Sequence, residues 1–196
     1  MNEKLLKQIN FLIEIDKAKD IFRQSLVLNK REENDAEHSW HICMSAIILK
    51  EYFIYNDIDI SKALKMILIH DLVEIYSGDT PTFSEYSAEE KFLSELSSAK
   101  KIFSLLPEEQ NKEYLSLWEE FEEAKTKESL FANAFDKFQG FLQNISSDGH
   151  TWKKFSPNRE KVLNRTKMIK EYLPEVYENI IFPTIEKYVE KGIIKP

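Results

Sequence analysis

Apolar residues recur at three- and four-residue intervals along almost the whole chain, the period of an α-helix. Leu5, Leu6, Ile9, Leu12 and Ile13 share one side of a first helix over about residues 2–16. A short helix through Ile21 and Phe22 and a polar loop, LNKREEND, follow. Asn34 or Asp35 caps the next helix, with Glu37 at capping-box distance from Asn34, and its apolar positions continue to Phe53. From Ala63 to Ile75 the chain is apolar on every side, as in a helix buried in a core; Asp59 and Ser61 are its candidate caps and Gly78 its stop. Asp79, Thr80 and Pro81 form the loop that leaves it. Two further helices, roughly 87–105 and 107–125, are split at Leu106-Pro107, with Glu108 and Glu109 in the second one's first turn. In ESLFANAFDKFQGFLQNI the residues Phe131, Ala134, Phe135, Phe138, Leu142 and Ile145 form one helical stripe. After a loop, SSDGHTWKKF, Ser156-Pro157 opens a helix to about Tyr172, and a last helix follows Pro174.

Composition agrees with this pattern. Four glycines, six prolines, 31% charged and 42% hydrophobic residues describe an all-α protein, and 196 residues are one domain's worth, so residues 1–196 are read as a single domain. That length buries a substantial core without disulfides or a structural metal, so a metal here would serve chemistry. The single cysteine, Cys43, lies in the apolar run WHICMSAIIL and reads as a small core residue in a reducing compartment, which predicts a cytoplasmic protein. No segment approaches the roughly 18 uninterrupted apolar residues of a membrane span. A net charge of −7 and a pI near 5.3 disfavour polymeric nucleic acid as a partner but leave room for a small anion in a locally basic pocket.

Against this background His70, Asp71 and Glu74 stand out, because they interrupt the most apolar helix of the chain. An ionised group buried without a partner costs several kcal/mol or more, on the order of a domain's stability margin, so these side chains must be paired, neutralised or ligated. Two more signals accompany them: His38 in the first turn of a capped helix, and Asp136 flanked at four residues on either side by Ala132 and Gly140. A mid-helix glycine costs about 1 kcal/mol relative to alanine, and small neighbours leave room around that carboxylate. Two imidazoles and two carboxylates without thiolates suit Mn²⁺, Fe²⁺, Co²⁺ or Zn²⁺, with Mg²⁺ also compatible. Glu74, one turn from His70, would overhang such an ion as a base or acid. His41 reads instead as a hydrogen-bonded core residue, Glu37 as a capping residue and the Phe stripe as ordinary core. A di-iron bundle is excluded, since no glutamate lies three residues before any histidine.

The order His38, His70-Asp71, Asp136, together with ENDAEHSWH, HDLVEIYSGDTP and FANAFDKFQ, resembles the HD-domain metal-dependent phosphohydrolases. Within them the text is similar to the branch of bacterial 5′-deoxynucleotidases and related hydrolases, from Arg23 to the GHTWKKF loop. The resemblance implies an all-helical fold with His38, His70, Asp71 and Asp136 on one divalent ion. It also implies Glu74 as the catalytic acid, Asp79 as a sugar-contacting carboxylate, Arg23 facing the phosphate, and a homodimer. The nucleotidases carry tryptophan directly after that arginine; Gln24 stands here, which bears on base and sugar preference. The implied reaction is hydrolysis of a nucleotide substrate, a 2′-deoxynucleoside 5′-monophosphate, by metal-activated water. Arg31 would help Arg23 with the phosphate charge, and Glu74 would orient the water or protonate the departing oxygen. The alternatives are hydrolysis of another phosphoester and a non-catalytic nucleotide sensor.

Overall fold

The helical period is realised almost throughout the computed structural model, which describes residues 2–28, 30–78 and 88–196. Helix α1 (Glu3–Glu14) starts on Asn2, whose side chain accepts from Leu5 N, and runs into a 3-10 turn over Ile15–Asp20. Its apolar side stays outside the core: Leu5, Leu6, Ile9, Leu12 and Ile13 are 41–66% exposed, and Phe11 is buried instead.

The helix expected through Ile21 and Phe22 is replaced by a hairpin. Phe22–Leu26 (β1) pairs antiparallel with Glu32–Asn34 (β2), with Phe22 opposite Asn34 and Leu26 opposite Glu32. Long-range polar partners decide this against the local period. Ser25 Oγ donates across the hairpin to Glu33 Oε2 at 2.9 Å, and Arg23 reaches Asp35 and Asp71.

The hairpin delivers Asn34 to the start of α2 (Asp35–Leu49), where it, not Asp35, is the cap. Its side chain accepts from Glu37 N at 3.0 Å, and Glu37 Oε2 accepts from Asn34 N at 3.3 Å. The box sets His38 in the first turn. Helix α3 (Ile60–Ile69) is capped by Asp59, with Ser61 inside it, and Leu68 is 52% exposed, so this run is covered on most sides rather than all. The expected helix to Ile75 tightens at His70 into a 3-10 turn over His70–Val73 and resumes as α4 (Glu74–Ser77). His70 Nδ1 donates to Ile67 O at 2.7 Å, competing for the carbonyl that a continued α-helix would offer to Asp71. Gly78 ends α4 with φ +76°, its N–H bonded to Glu74 O at 2.8 Å. Asp79 and the loop it opens lie outside the described residues.

Helices α5 (Ala88–Phe103) and α6 (Glu108–Glu123) are separated at Pro107 as the sequence predicts. Thr126 caps α7 (Lys127–Ser146). The segment GHTWKKF is a helix rather than a loop: α8 (His150–Phe155) starts after Gly149 at φ +72° and is tied back by Thr151 N donating to Asn144 Oδ1 at 3.2 Å. Asn158, not Ser156, caps α9 (Arg159–Arg165). A break at Thr166, whose hydroxyl bonds the carbonyls of Val162 and Leu163, divides α9 from α10 (Lys167–Tyr172). Helix α11 (Pro174–Val176) passes through a π-turn over Tyr177–Ile181 into α12 (Phe182–Glu190).

The architecture is all-α apart from the hairpin. Helix α7 runs through its middle, packed on α2, α3, α6 and α10, with Phe131, Ala134, Phe135 and Phe138 buried in the core. Leu142 and Ile145 pack at that core's edge. No helix among the described residues is long and apolar enough to cross a membrane.

Because the Asn34 box fixes the helix start that carries His38, Asn34→Ala should destabilise the protein by about 1 kcal/mol, whereas Asn34→Asp should keep most of the cap. Urea denaturation followed by circular dichroism measures both; equal midpoints for Asn34→Ala and the unmodified protein would remove the cap from this role.

Candidate metal centre and its cavity

Three elements bring the predicted donors together. His38 comes from α2, His70 and Asp71 from the 3-10 turn after α3, and Asp136 from the middle of α7. Donor atoms of His38, His70 and Asp71 lie within 4.8 Å of one another. Asp136 Oδ1 lies 3.0 Å from His38 Nε2 and 4.0 Å from His70 Nε2. Asp71 Oδ2 is 3.7 Å and 3.2 Å from the same two nitrogens.

Both imidazoles are turned the same way. His70 Nδ1 donates to Ile67 O and His38 Nδ1 to Gln139 Oε1, each at 2.7 Å, so each ring presents Nε2 to the carboxylates. A lone pair held against anionic oxygens is repulsive unless positive charge lies between them, supplied by a proton or by a metal ion. His70 Nε2 is buried and makes no hydrogen bond, although Asp71 lies beside it. These residues fit a divalent cation: two imidazoles fixed through their far nitrogens, two carboxylates opposite, and no thiolate.

The electrostatics agree. Burial alone would lower the pKa of His70, but the carboxylates of Asp71 and Asp136 outweigh it and push the value up to about 9. Burial would raise Asp71, yet the charges of His70 and Arg23 hold it below the usual carboxylate range. Asp136 is likewise held well down against burial by Lys137 and His38.

The orientation of His38 depends on residues that sequence reasoning passed over. Glu33 is 1% exposed, and its carboxylate accepts from Gln139 Nε2 at 2.7 Å, Gln143 Nε2 at 2.8 Å and Ser25 Oγ at 2.9 Å. With its amide nitrogen committed there, and to His41 Nδ1 at 3.2 Å, Gln139 turns its oxygen to His38. His41 is thus hydrogen-bonded as expected, but it is half-buried rather than a core residue. Two glutamines inside the apolar stripe of α7 were the available signal. Lys137 is another omission: its ammonium pairs with Asp136 Oδ2 at 2.8 Å, and that charge raises its pKa.

The remaining candidates divide. Arg23 Nη1 donates to Asp71 Oδ2 at 2.6 Å and to Asp35 Oδ1 at 3.1 Å, beside the donor cluster. Burial would favour loss of its proton, and the surrounding carboxylates, Asp71 foremost, hold it in place. Glu74, 8% exposed at the start of α4, and Gln24 on β1 both line the cavity that opens from the cluster. Gln24 Oε1 accepts from Lys154 on α8. Arg31 is not brought there: its guanidinium forks onto Glu37, with one bond of 2.8 Å, and bonds Glu32 O at 3.0 Å, so charge pairing across the hairpin end holds it away. Glu37 serves the cap and this pair. The cavity, about 760 Å³, extends from His38, His70 and Asp136 past Gly140 and Asn144 to Lys161 and Arg165 on α9. On its other wall Glu95, 7% exposed, pairs with Lys91 at 3.3 Å, and burial raises the pKa of both Glu95 and Glu122.

An all-α cradle closing on two histidines and two aspartates from three separate elements defines a helical domain with a candidate metal site. The model of the HD domain matches residues 15–177, and the chain belongs to the HD-domain family. It is similar to the 5′-deoxynucleotidase of Dictyostelium discoideum, 36% identical over 57% of this chain and 60% of that protein. A bacterial 5′-deoxynucleotidase, from Erwinia tasmaniensis, is 26% identical over 86% of this chain and 90% of that one. The match therefore spans less than two thirds of the first of these curated relatives and most of the second. Among solved structures, one described as a predicted metal-dependent phosphohydrolase from Magnetospirillum magnetotacticum MS-1 superposes with a TM-score of 0.91 at 37% identity, covering 99% of this chain and 97% of that one.

Since His70 carries a proton below about pH 9 without an ion, metal binding at neutral pH should expel it. Calorimetric titration of Co²⁺ into chelator-treated protein, in two buffers of different ionisation enthalpy, should report release of about one proton per ion. Binding without proton release would mean that the metal does not take the place of the His70 proton. Elemental analysis of His70→Ala and Asp136→Ala should show depleted ion with helical content retained.

Proposed function

We propose that this protein is a metal-dependent phosphomonoester hydrolase that acts on nucleoside 5′-monophosphates, the 2′-deoxy forms in particular. The carrying observation is the His38–His70–Asp71–Asp136 cluster, with His70 Nε2 buried and unbonded, at the head of a cavity whose wall includes Arg23, Lys137 and Glu74. The names of the curated relatives and of the solved structure support the reading.

His38, His70, Asp71 and Asp136 would hold one divalent ion, of Mn, Fe, Co or Zn, with Mg compatible. When bound, such an ion lowers the pKa of a water and withdraws charge from a phosphate oxygen. Arg23 spends Nη1 on Asp35 and Asp71, which fixes the plane of its guanidinium and leaves the donors on Nη2 and Nε for phosphate oxygens. Lys137 adds a second positive charge from the other side of Asp136. Glu74, beside the cluster and largely shielded from water, orients the attacking water or protonates the departing 5′-oxygen. The cytoplasm remains the expected compartment, in keeping with a lone Cys43 whose thiol burial pushes up to about 11.

Phosphate release from paired ribo- and deoxyribonucleoside monophosphates, with each metal in turn, tests this reading. Deoxy substrates should give the higher kcat/KM, and Glu74→Gln should keep its ion while kcat falls by about 10²-fold or more. No release from any monophosphate with any metal would sink the assignment.

A homodimer is part of the same proposal. On α2, Trp40, Met44, Ile47 and Ile48 lie at helical spacing and are 38–63% exposed, in addition to the uncovered apolar side of α1. Exposed apolar side chains at helical spacing support the reading that a second copy of the chain covers them. Light scattering should give twice the chain mass, and the double change Ile47→Glu, Ile48→Glu should halve it; an unmodified protein that runs as a monomer at micromolar concentration would end this part.

A further inference from the structure

The cavity follows α7 away from the donor cluster, and Asp136, Gly140 and Asn144 succeed one another along it at four-residue spacing. Each step advances about 6 Å along the helix axis. The ion end is marked by His70 Nε2, buried and without a hydrogen bond, in the same cavity. Gly140 comes one turn later.

Neither the backbone nor the packing asks for glycine at that position. Gly140 lies within a regular helix and is absent from the positive-φ residues, and a Cβ built on it meets nothing within 4 Å. Gly149 is the contrast, with φ +72° and a Cβ that would come 2.8 Å from the Tyr188 ring. A glycine in a helix interior weakens the helix relative to alanine, so Gly140 carries a penalty that the protein's own contacts do not explain. The space above it has fixed walls. Asn144 Nδ2 donates to Gly140 O at 3.3 Å, while its Oδ1 accepts from Thr151 Oγ1 at 2.7 Å. Phe141 is braced by the buried Trp152, and Lys154 holds Gln24, which lines the same cavity.

We propose that Gly140 is a specificity-determining residue, its bare backbone forming the floor of a subsite that takes the planar base of the nucleotide beyond the phosphate. A flat heteroaromatic ring lies against a peptide plane at van der Waals distance only where no Cβ stands between them. The inference rests on the nucleotide reading above.

Gly140→Ala and Gly140→Leu, both metal-loaded, test it. The alanine variant should melt higher than the unmodified protein. It should lose kcat/KM on nucleoside monophosphates by roughly tenfold, the scale of one methylene group misplaced in a fitted pocket, and the leucine variant should lose more. The loss should fall on KM more than on kcat. Metal content and the competitive inhibition constant of inorganic phosphate, which report on the ion end alone, should stay within about twofold, well short of that tenfold pocket effect. Unchanged kcat/KM in both variants overturns the subsite, and so does a lowered melting temperature for Gly140→Ala, which would assign the glycine to packing. Should the leucine variant not fold, the alanine variant decides. Failure of the unmodified protein on every nucleoside monophosphate would instead bring down the nucleotide reading, and this subsite with it.

Discussion

Two buried imidazole nitrogens face two largely shielded carboxylates at 3.0–4.0 Å, and this arrangement is tenable only with positive charge inside it. A buried carboxylate without compensation costs several kcal/mol, comparable with a domain's entire stability margin. The surrounding structure supplies charge from every side. Arg23 reaches in from the hairpin, Lys137 from the next position on α7, and His70 takes up a proton when no cation does so. The 3-10 turn at His70–Val73 belongs to the same solution. By capturing the Ile67 carbonyl, His70 ends α3 and turns its other nitrogen toward Asp71 and Asp136.

Behind the cluster stands another acid, the buried Glu33, satisfied by hydrogen bonds from an alcohol and two amides. Those partners make it an alignment device rather than an ionic one. Gln139 cannot rotate without leaving Glu33 short of a donor, so its oxygen stays on His38 Nδ1 and the ring keeps Nε2 free for the cluster. The hairpin, which carries no part of the hydrophobic core's helices, thus connects the outer rim of the cavity to the tautomer of a candidate ligand.

The site's donors were legible in the sequence because they break a rule that local text can reveal: His70 and Asp71 are ionisable groups within an apolar helix, and His38 follows a capping box. The supporting residues break no such rule. Glu33 lies in a polar stretch, and its partners Gln139 and Gln143 are 106 and 110 positions away. The hairpin was hidden for the same reason, since Arg23 and Ser25 are placed by contacts that no local period encodes. Helix α8 lies in a stretch whose glycine and serines give no helix signal, and its N-terminal partner is Asn144, seven residues before Thr151. The sequence offers Arg31 as a helper of Arg23 at the phosphate, whereas in the structure its guanidinium pairs with Glu37, six residues on. The periodicity of α1 was correct, but a stripe of leucines and isoleucines does not state what covers it.

Charge around the cavity explains why the protein can be acidic overall and still suit a phosphate. Among the described lining residues, Asp71, Glu74, Glu95, Glu122 and Asp136 are balanced by Arg23, Lys91, Lys137, Lys161 and Arg165. The distribution is uneven: no carboxylate among them comes from α9, while Asp71, Glu74 and Asp136 crowd the ion end. A phosphate approaching that end without an ion meets carboxylates already engaged by Arg23 and Lys137 and gains little. A divalent cation that displaces the His70 proton still adds one net positive charge at the ion end, within a partly enclosed space where the field is weakly screened. In the proposed reaction the ion therefore strengthens the hold on the substrate's phosphate, which Arg23 also contacts, as well as supplying the chemistry.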